Sequence, residues 1–95
     1  MNRLFKTSDF EEDLDFYRKH NKKLFEKVKT LVIDILEHPA VGLGKPERLR
    51  YAEFGVTLYS RRIDKKNRLI YKVELVNSGD SDIVLLHCKG HYGDK

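Results

Sequence analysis

The side chains best suited to work on a polyanion are gathered in one stretch of this sequence. Residues 45 to 72 contain Lys45, Arg48, Arg50, Arg61, Arg62, Lys65, Lys66, Arg68 and Lys72 against Glu47, Glu53 and Asp64, a local balance of +6. The whole chain carries only +4, because residues 1 to 44 are balanced and residues 73 to 95 are acidic. A focused positive segment attracts phosphate backbones. Five of its nine cations are arginines, whose planar forks match phosphate oxygens in pairs. An ordinary solvated surface could carry the same charges, so charge alone defines a binding class and not a reaction.

Other chemistries find less support. With one cysteine, Cys88, and four scattered histidines, no zinc-ligand spacing can be built, and neither a metal nor a cofactor is expected. A lone cysteine forms no internal disulfide, which suits a reducing cytosol, and Cys88 reads as a small buried hydrophobe. The longest apolar-looking segment, Leu31 to Leu36, is interrupted by Asp34 and is far too short to span a bilayer. No basic region followed by a long apolar stretch is present. The expectation is a cytoplasmic protein with no membrane partner.

The elements that must position the basic segment follow from periodicity. The chain is long enough for one core, and a single domain over residues 1–95 is expected. Arg3 to Lys6 is a short strand candidate. Ser8 and Glu11 suit a capping box, and Phe10, Leu14 and Tyr17 recur at helical spacing, predicting a helix over about residues 9–19. Asn21 can cap a second helix with Leu24, Val28, Leu31 and Ile35 as one stripe, widened by Phe25, Val32 and Leu36 and ended by His38-Pro39. These helices carry no visible chemistry. Beyond Gly44 the pattern turns to strands: Val56 to Ile63, Arg68 to Leu75 and Ile83 to Lys89, separated by the polar turns Asp64-Lys65-Lys66-Asn67 and Asn77-Ser78-Gly79-Asp80. The order β-α-α-β-β-β implies an α+β fold, an antiparallel sheet with a two-helix hairpin packed on one face.

Strand alternation gives the first hint of a site. Leu69, Tyr71 and Val73 share one face of their strand, which leaves Arg68 on the other. In the last strand Val84, Leu86 and Cys88 are expected together, with His87, Lys89 and, if the strand continues, His91 opposite. Arg68 and His91 then project from the same exposed face.

Four motifs, in order, are similar to the YoeB/Txe branch of the RelE superfamily of bacterial toxin-antitoxin toxins. They are Gly44-Lys45-Pro46-Glu47, Ser60-Arg61-Arg62-Ile63, Asn67-Arg68-Leu69-Ile70-Tyr71 and Cys88-Lys89-Gly90-His91-Tyr92. Each is weak alone; the order makes them specific. The amino-terminal half agrees in layout and length. The branch commonly ends at its His-Tyr pair, whereas Gly93-Asp94-Lys95 follow here and are expected to fray. The Val76 to Asp82 turn is longer than usual for the branch.

Members of this branch associate with the ribosome, cleave messenger RNA in the decoding site and are held inactive by an antitoxin. The resemblance therefore implies a ribosome-dependent mRNA endoribonuclease with Glu47 as general base, Arg68 stabilising the phosphate, His91 as general acid and Tyr92 orienting RNA or leaving group. It also implies RNA contacts by Lys45, Arg50, Arg61 and Arg62. Expected partners are the ribosome with its mRNA and a cognate antitoxin of the YefM/Phd type, whose acidic segment would cover residues 45–72. Homodimers are common in the branch, although no sequence feature marks an interface here. The rival reading is a non-catalytic ParE-like toxin or binding module on the same scaffold.

Overall fold

The computed structural model describes residues 2–53, 55–77 and 79–90, with the backbone alone for 50–53. Strand β1 (Arg3–Lys6) leads into helices α1 (Ser8–His20) and α2 (Lys22–Glu37). Strands β2 (Glu47–Glu53), β3 (Val56–Arg62), β4 (Arg68–Asn77) and β5 (Asp80–His87) follow, in one sheet ordered β1-β5-β4-β3-β2. No helix among the described residues is long and apolar enough to cross a membrane.

Both helices form where the apolar spacing requires them, and their ends have identifiable caps. Thr7, and not the expected Ser8–Glu11 box, starts α1: its hydroxyl oxygen accepts from the Phe10 amide at 3.1 Å. Asn21 closes one helix and opens the next. Its amide donates to the Tyr17 carbonyl at 2.7 Å, and its side-chain oxygen accepts from the Leu24 amide at 3.2 Å. The inward faces supply Phe10 and Tyr17 from α1 and Val28, Leu31 and Ile35 from α2, packed against Leu69, Tyr71, Ile83, Leu85 and Cys88. Each such apolar side chain contributes about 1.5–3 kcal/mol by leaving water. Burial pushes the Cys88 thiol up to about 12, with the Asp13 carboxylate adding to the shift.

The α+β architecture and the helical pair on one face are as expected, but the sheet differs in two respects. It has a fifth strand, Glu47–Glu53, antiparallel to β3. Two register shifts interrupt that pairing, between Arg48 and Arg50 and between Tyr51 and Glu53, so its sequence lacks a clean alternation. The sheet is also mixed, because β1 lies parallel to β5, Phe5 opposite Val84. Two helices form the long connection that returns the chain to the sheet. The hairpin between β4 and β5 closes at the pair Asn77–Asp80, with Gly79 at φ 88°, so most of the expected long turn is strand.

Alternation in β5 is also corrected. Ile83 and Leu85, not Val84 and Leu86, face the helices. Tyr71 pairs with Leu85 and Ile70 with His87, so Leu86 is an extra residue. That bulge reverses the alternation and turns Cys88 back into the core.

Candidate active site

The sheet face away from the helices carries Arg62 and Arg68 of the basic segment. Register places Glu47, Ser60 and Ile70 in one cross-strand row and Arg62 beside Arg68 in the next. Paired residues share a face, so Glu47 and the two arginines converge. They line a concavity of about 510 Å³ with Lys45, Pro46, Leu49 and the buried Ser60. A second depression of about 520 Å³ shares Lys45, Arg62 and Arg68 and reaches Lys65 and Lys27. Lys27 is on α2, so the helices are not without a part in this surface.

Local backbone chemistry sets the walls. The Arg62 amide donates to the Gly44 carbonyl at 2.7 Å, which ties the segment leading into β2 to the end of β3. Gly44 has φ 78°, and a Cβ there would meet the Arg62 carbonyl oxygen and a Leu31 methyl at 3.0 Å. Only glycine fits both the conformation and the space. Lys45 follows at φ 51°, and Glu47 then begins β2.

On the opposite wall, the turn before β4 is organised by Asp64. Its Oδ1 accepts from the Lys66 amide at 2.9 Å and the Asn67 amide at 2.8 Å, and the Asn67 side-chain NH₂ donates to it as well. Burial alone would raise this carboxyl; those hydrogen bonds and the nearby Arg68 guanidinium outweigh it and hold the pKa below its ordinary value. Arg68 Nη1 donates to the Asp64 carbonyl at 2.8 Å and to that of Asn67 at 3.2 Å, which fixes the guanidinium plane at the rim of the concavity. The chain leaving β5 is stitched to the same place. The Gly90 amide donates to Asn67 Oδ1, and the Arg68 amide to the Gly90 carbonyl, each at 2.8 Å.

The expected site residues therefore separate into three groups. Glu47, Arg68, Lys45 and Arg62 line one concavity. His91 and Tyr92 lie outside the described residues, as does the side chain of Arg50, whose backbone pairs with Leu58. Arg61 is a correction: it is 0% exposed on the helix side of the sheet, its donors taken by Asp34, Tyr71 and three carbonyls, so it cannot meet RNA. Adjacent strand residues point to opposite faces, and Arg62 holds the outward position. Asn67 was not foreseen as more than a turn residue; the Asp64-x-x-Asn67 spacing of a side-chain-capped turn was the available signal. Among the described residues, no three His, Cys, Asp or Glu side chains come together as a metal site.

The fold that carries this cleft, a five-stranded sheet backed by two helices, is shared with solved proteins. A YoeB/ParE toxin from Agrobacterium tumefaciens matches with a TM-score of 0.79 at 31% identity, over 95% of this chain and 99% of that one. A chain of the heterotetrameric YoeB-YefM toxin-antitoxin complex from Staphylococcus aureus matches at 0.72 and 30% identity, over 97% and 99%. The class is thus a bacterial toxin of RelE-type fold. More narrowly, the chain belongs to the family of YoeB-like toxins of bacterial type II toxin-antitoxin systems, whose model matches residues 5–92. Toxin YoeB of Streptomyces coelicolor is 34% identical to it over 86 residues, 90% of this chain and 94% of the relative.

Proposed function

We propose that this toxin is a ribosome-dependent endoribonuclease that cuts messenger RNA with its own side chains. The observation that carries the reading is the single concavity lined by Glu47 and Arg68, at whose rim Gly90, the residue before His91, is bound. RNA supplies the nucleophile. Glu47 takes the proton of the 2′-hydroxyl, whose oxygen attacks phosphorus. The bond from phosphorus to the 5′-oxygen breaks, and His91 protonates that oxygen. The products are a 2′,3′-cyclic phosphate and a 5′-hydroxyl. Each positioned proton transfer contributes about 10²- to 10⁴-fold in rate. Arg68 stabilises the extra negative charge on the crowded phosphate, and Tyr92 orients RNA or leaving group. Lys45, Arg62 and Arg50 guide the strand. The scheme needs no metal or cofactor.

Two partners follow. The Staphylococcus aureus relative assembles with YefM, and a YefM-like antitoxin with an acidic segment would neutralise the basic face of this toxin and cover its concavity. The second partner is the ribosome with its bound message, in the cytoplasm.

The test is a translation reaction with the purified toxin and mapping of message ends, with and without ribosomes. New ends that require ribosomes and disappear in Glu47→Gln, Arg68→Ala and His91→Ala are expected. A base and an acid acting together predict a bell-shaped pH profile in single-turnover cleavage. Arrest of translation without new RNA ends would mean a non-catalytic toxin of the ParE kind.

A further inference from the structure

The guanidinium of Arg61 has all five N–H donors engaged while fully buried. Nε donates to the Tyr71 hydroxyl at 3.1 Å, Nη1 to the Asp34 carboxylate and, at 3.1 Å, to the Leu43 carbonyl, and Nη2 to the carbonyls of His38 and, at 2.9 Å, Val41. Tyr71 in turn donates to the Pro39 carbonyl at 2.6 Å, and Asp34 accepts from the Leu43 amide at 3.0 Å. One buried cation thus gathers the carbonyls of the loop between α2 and β2. A Cβ at Gly42 would run into the Asp34 carboxylate, so the loop lies directly on this clamp.

That loop has one consequence for the concavity. It leads through Gly44, bound to the Arg62 amide, into Lys45, Pro46 and Glu47. We infer that Arg61 is a positioning residue, a buried clamp that holds the 38–44 loop and through it sets Glu47 across the concavity from Arg68. The inference rests on the reading of Glu47 as the general base. Lysine cannot replace the clamp, because an ammonium has three donors and no planar fork for acceptors on five sides.

Tyr71→Phe is the primary test, since it keeps the ring and removes one bond to the loop and one to Arg61; Arg61→Lys is the stronger variant. Amide exchange over residues 39–46 should quicken in both, with the exchange of β4 and β5 unchanged. Single-turnover cleavage on saturating ribosomes should fall about 10- to 100-fold with half-saturation unchanged, the effect of a displaced catalytic group. In Glu47→Gln the further change Tyr71→Phe should cost nothing more, because both act through one group. Unaltered loop exchange in Tyr71→Phe overturns the clamp whatever Glu47 does. Losses that multiply between Tyr71→Phe and Glu47→Gln overturn the route through Glu47. Full cleavage by Glu47→Gln alone refutes the assignment of Glu47 as base, a separate failure visible without any change at Arg61 or Tyr71.

Discussion

Asn67 holds Gly90 across 23 residues of sequence. Its Oδ1 accepts the Gly90 amide at 2.8 Å, and the next residue, Arg68, returns an amide to the Gly90 carbonyl at the same distance. The turn that fixes the Arg68 guanidinium therefore also fixes the point from which the chain continues to His91. Asn67→Ala should lower stability by about 1 kcal/mol, the net worth of the lost hydrogen bonding. Its single-turnover cleavage should fall by about tenfold, because the anchor of the following residues is gone. Urea denaturation and cleavage on ribosomes check the two parts, and a wild-type rate would show that the Gly90 anchor is irrelevant to the reaction.

Gly44 and Gly79 both have positive φ, 78° and 88°, but only Gly44 is crowded. An alanine at Gly79 would meet nothing within 4 Å, so its cost is the left-handed backbone alone, about 1–2 kcal/mol. At Gly44 the methyl would also press on the Arg62 carbonyl and Leu31, adding about 1–3 kcal/mol of overpacking. Gly44→Ala should therefore be the less stable by urea midpoint at equal slope, and should lose cleavage through the neighbouring Glu47. Equal losses in the two variants would contradict the close approach seen at Gly44.

Acid should loosen the loop beneath Glu47. The hydrogen bond from Arg61 holds the Asp34 carboxyl below its ordinary value of 3.8, the Leu43 amide helps, and burial opposes them more weakly. A carboxyl depressed in the folded state binds its proton more readily when unfolded, so folding is favoured most above the unfolded pKa. The contribution is lost as pH falls through the folded value. The melting temperature should accordingly drop below about pH 4, with exchange over residues 39–46 quickening before that of β4 and β5. Asp34→Asn should flatten that slope, and Asp15, Asp64 and Asp82, which are likewise depressed, contribute to what remains. An acid limb as steep in Asp34→Asn as in the native protein would remove Asp34 from this account.

What could be read from the sequence divides along the line between local and long-range causes. The stripe of Val28, Leu31 and Ile35 and the cap at Asn21 are local, and the structure has both. The strand Glu47–Glu53 escaped notice because four of its seven residues are charged and two register shifts break its alternation. The parallel pairing of β1 with β5 joins residues about eighty positions apart, and no local pattern encodes it. Glu47 entered the site through motif resemblance alone; its register opposite Ser60, two residues before Arg62, supplies the geometric reason it belongs near Arg68. The resemblance implies RNA contacts for both Arg61 and Arg62, although period-two alternation requires that only one of two adjacent strand residues face outward.

Tyr17 offers a test of the core that leaves the concavity untouched. Its ring is 2% exposed and meets Phe16 edge-on at 6.1 Å between centroids, yet its hydroxyl is buried with no hydrogen-bond partner among the described residues. Burial accordingly pushes its pKa upward, and coupling to the Cys88 thiol and to the Asp64 and Asp13 carboxylates adds to the shift. An unpartnered hydroxyl carries a desolvation cost of about 1–3 kcal/mol, which phenylalanine removes while keeping the ring. Tyr17→Phe should therefore be more stable by about 1 kcal/mol, raising the melting temperature by about 4–8 °C for a chain of this size. Cleavage should be unchanged, since the ring faces the helices' core and not the basic face. A melting temperature lowered by the substitution would mean that the hydroxyl is satisfied in solution, and that the core around Asp13, Tyr17 and Cys88 is held by polar contacts as well as by packing.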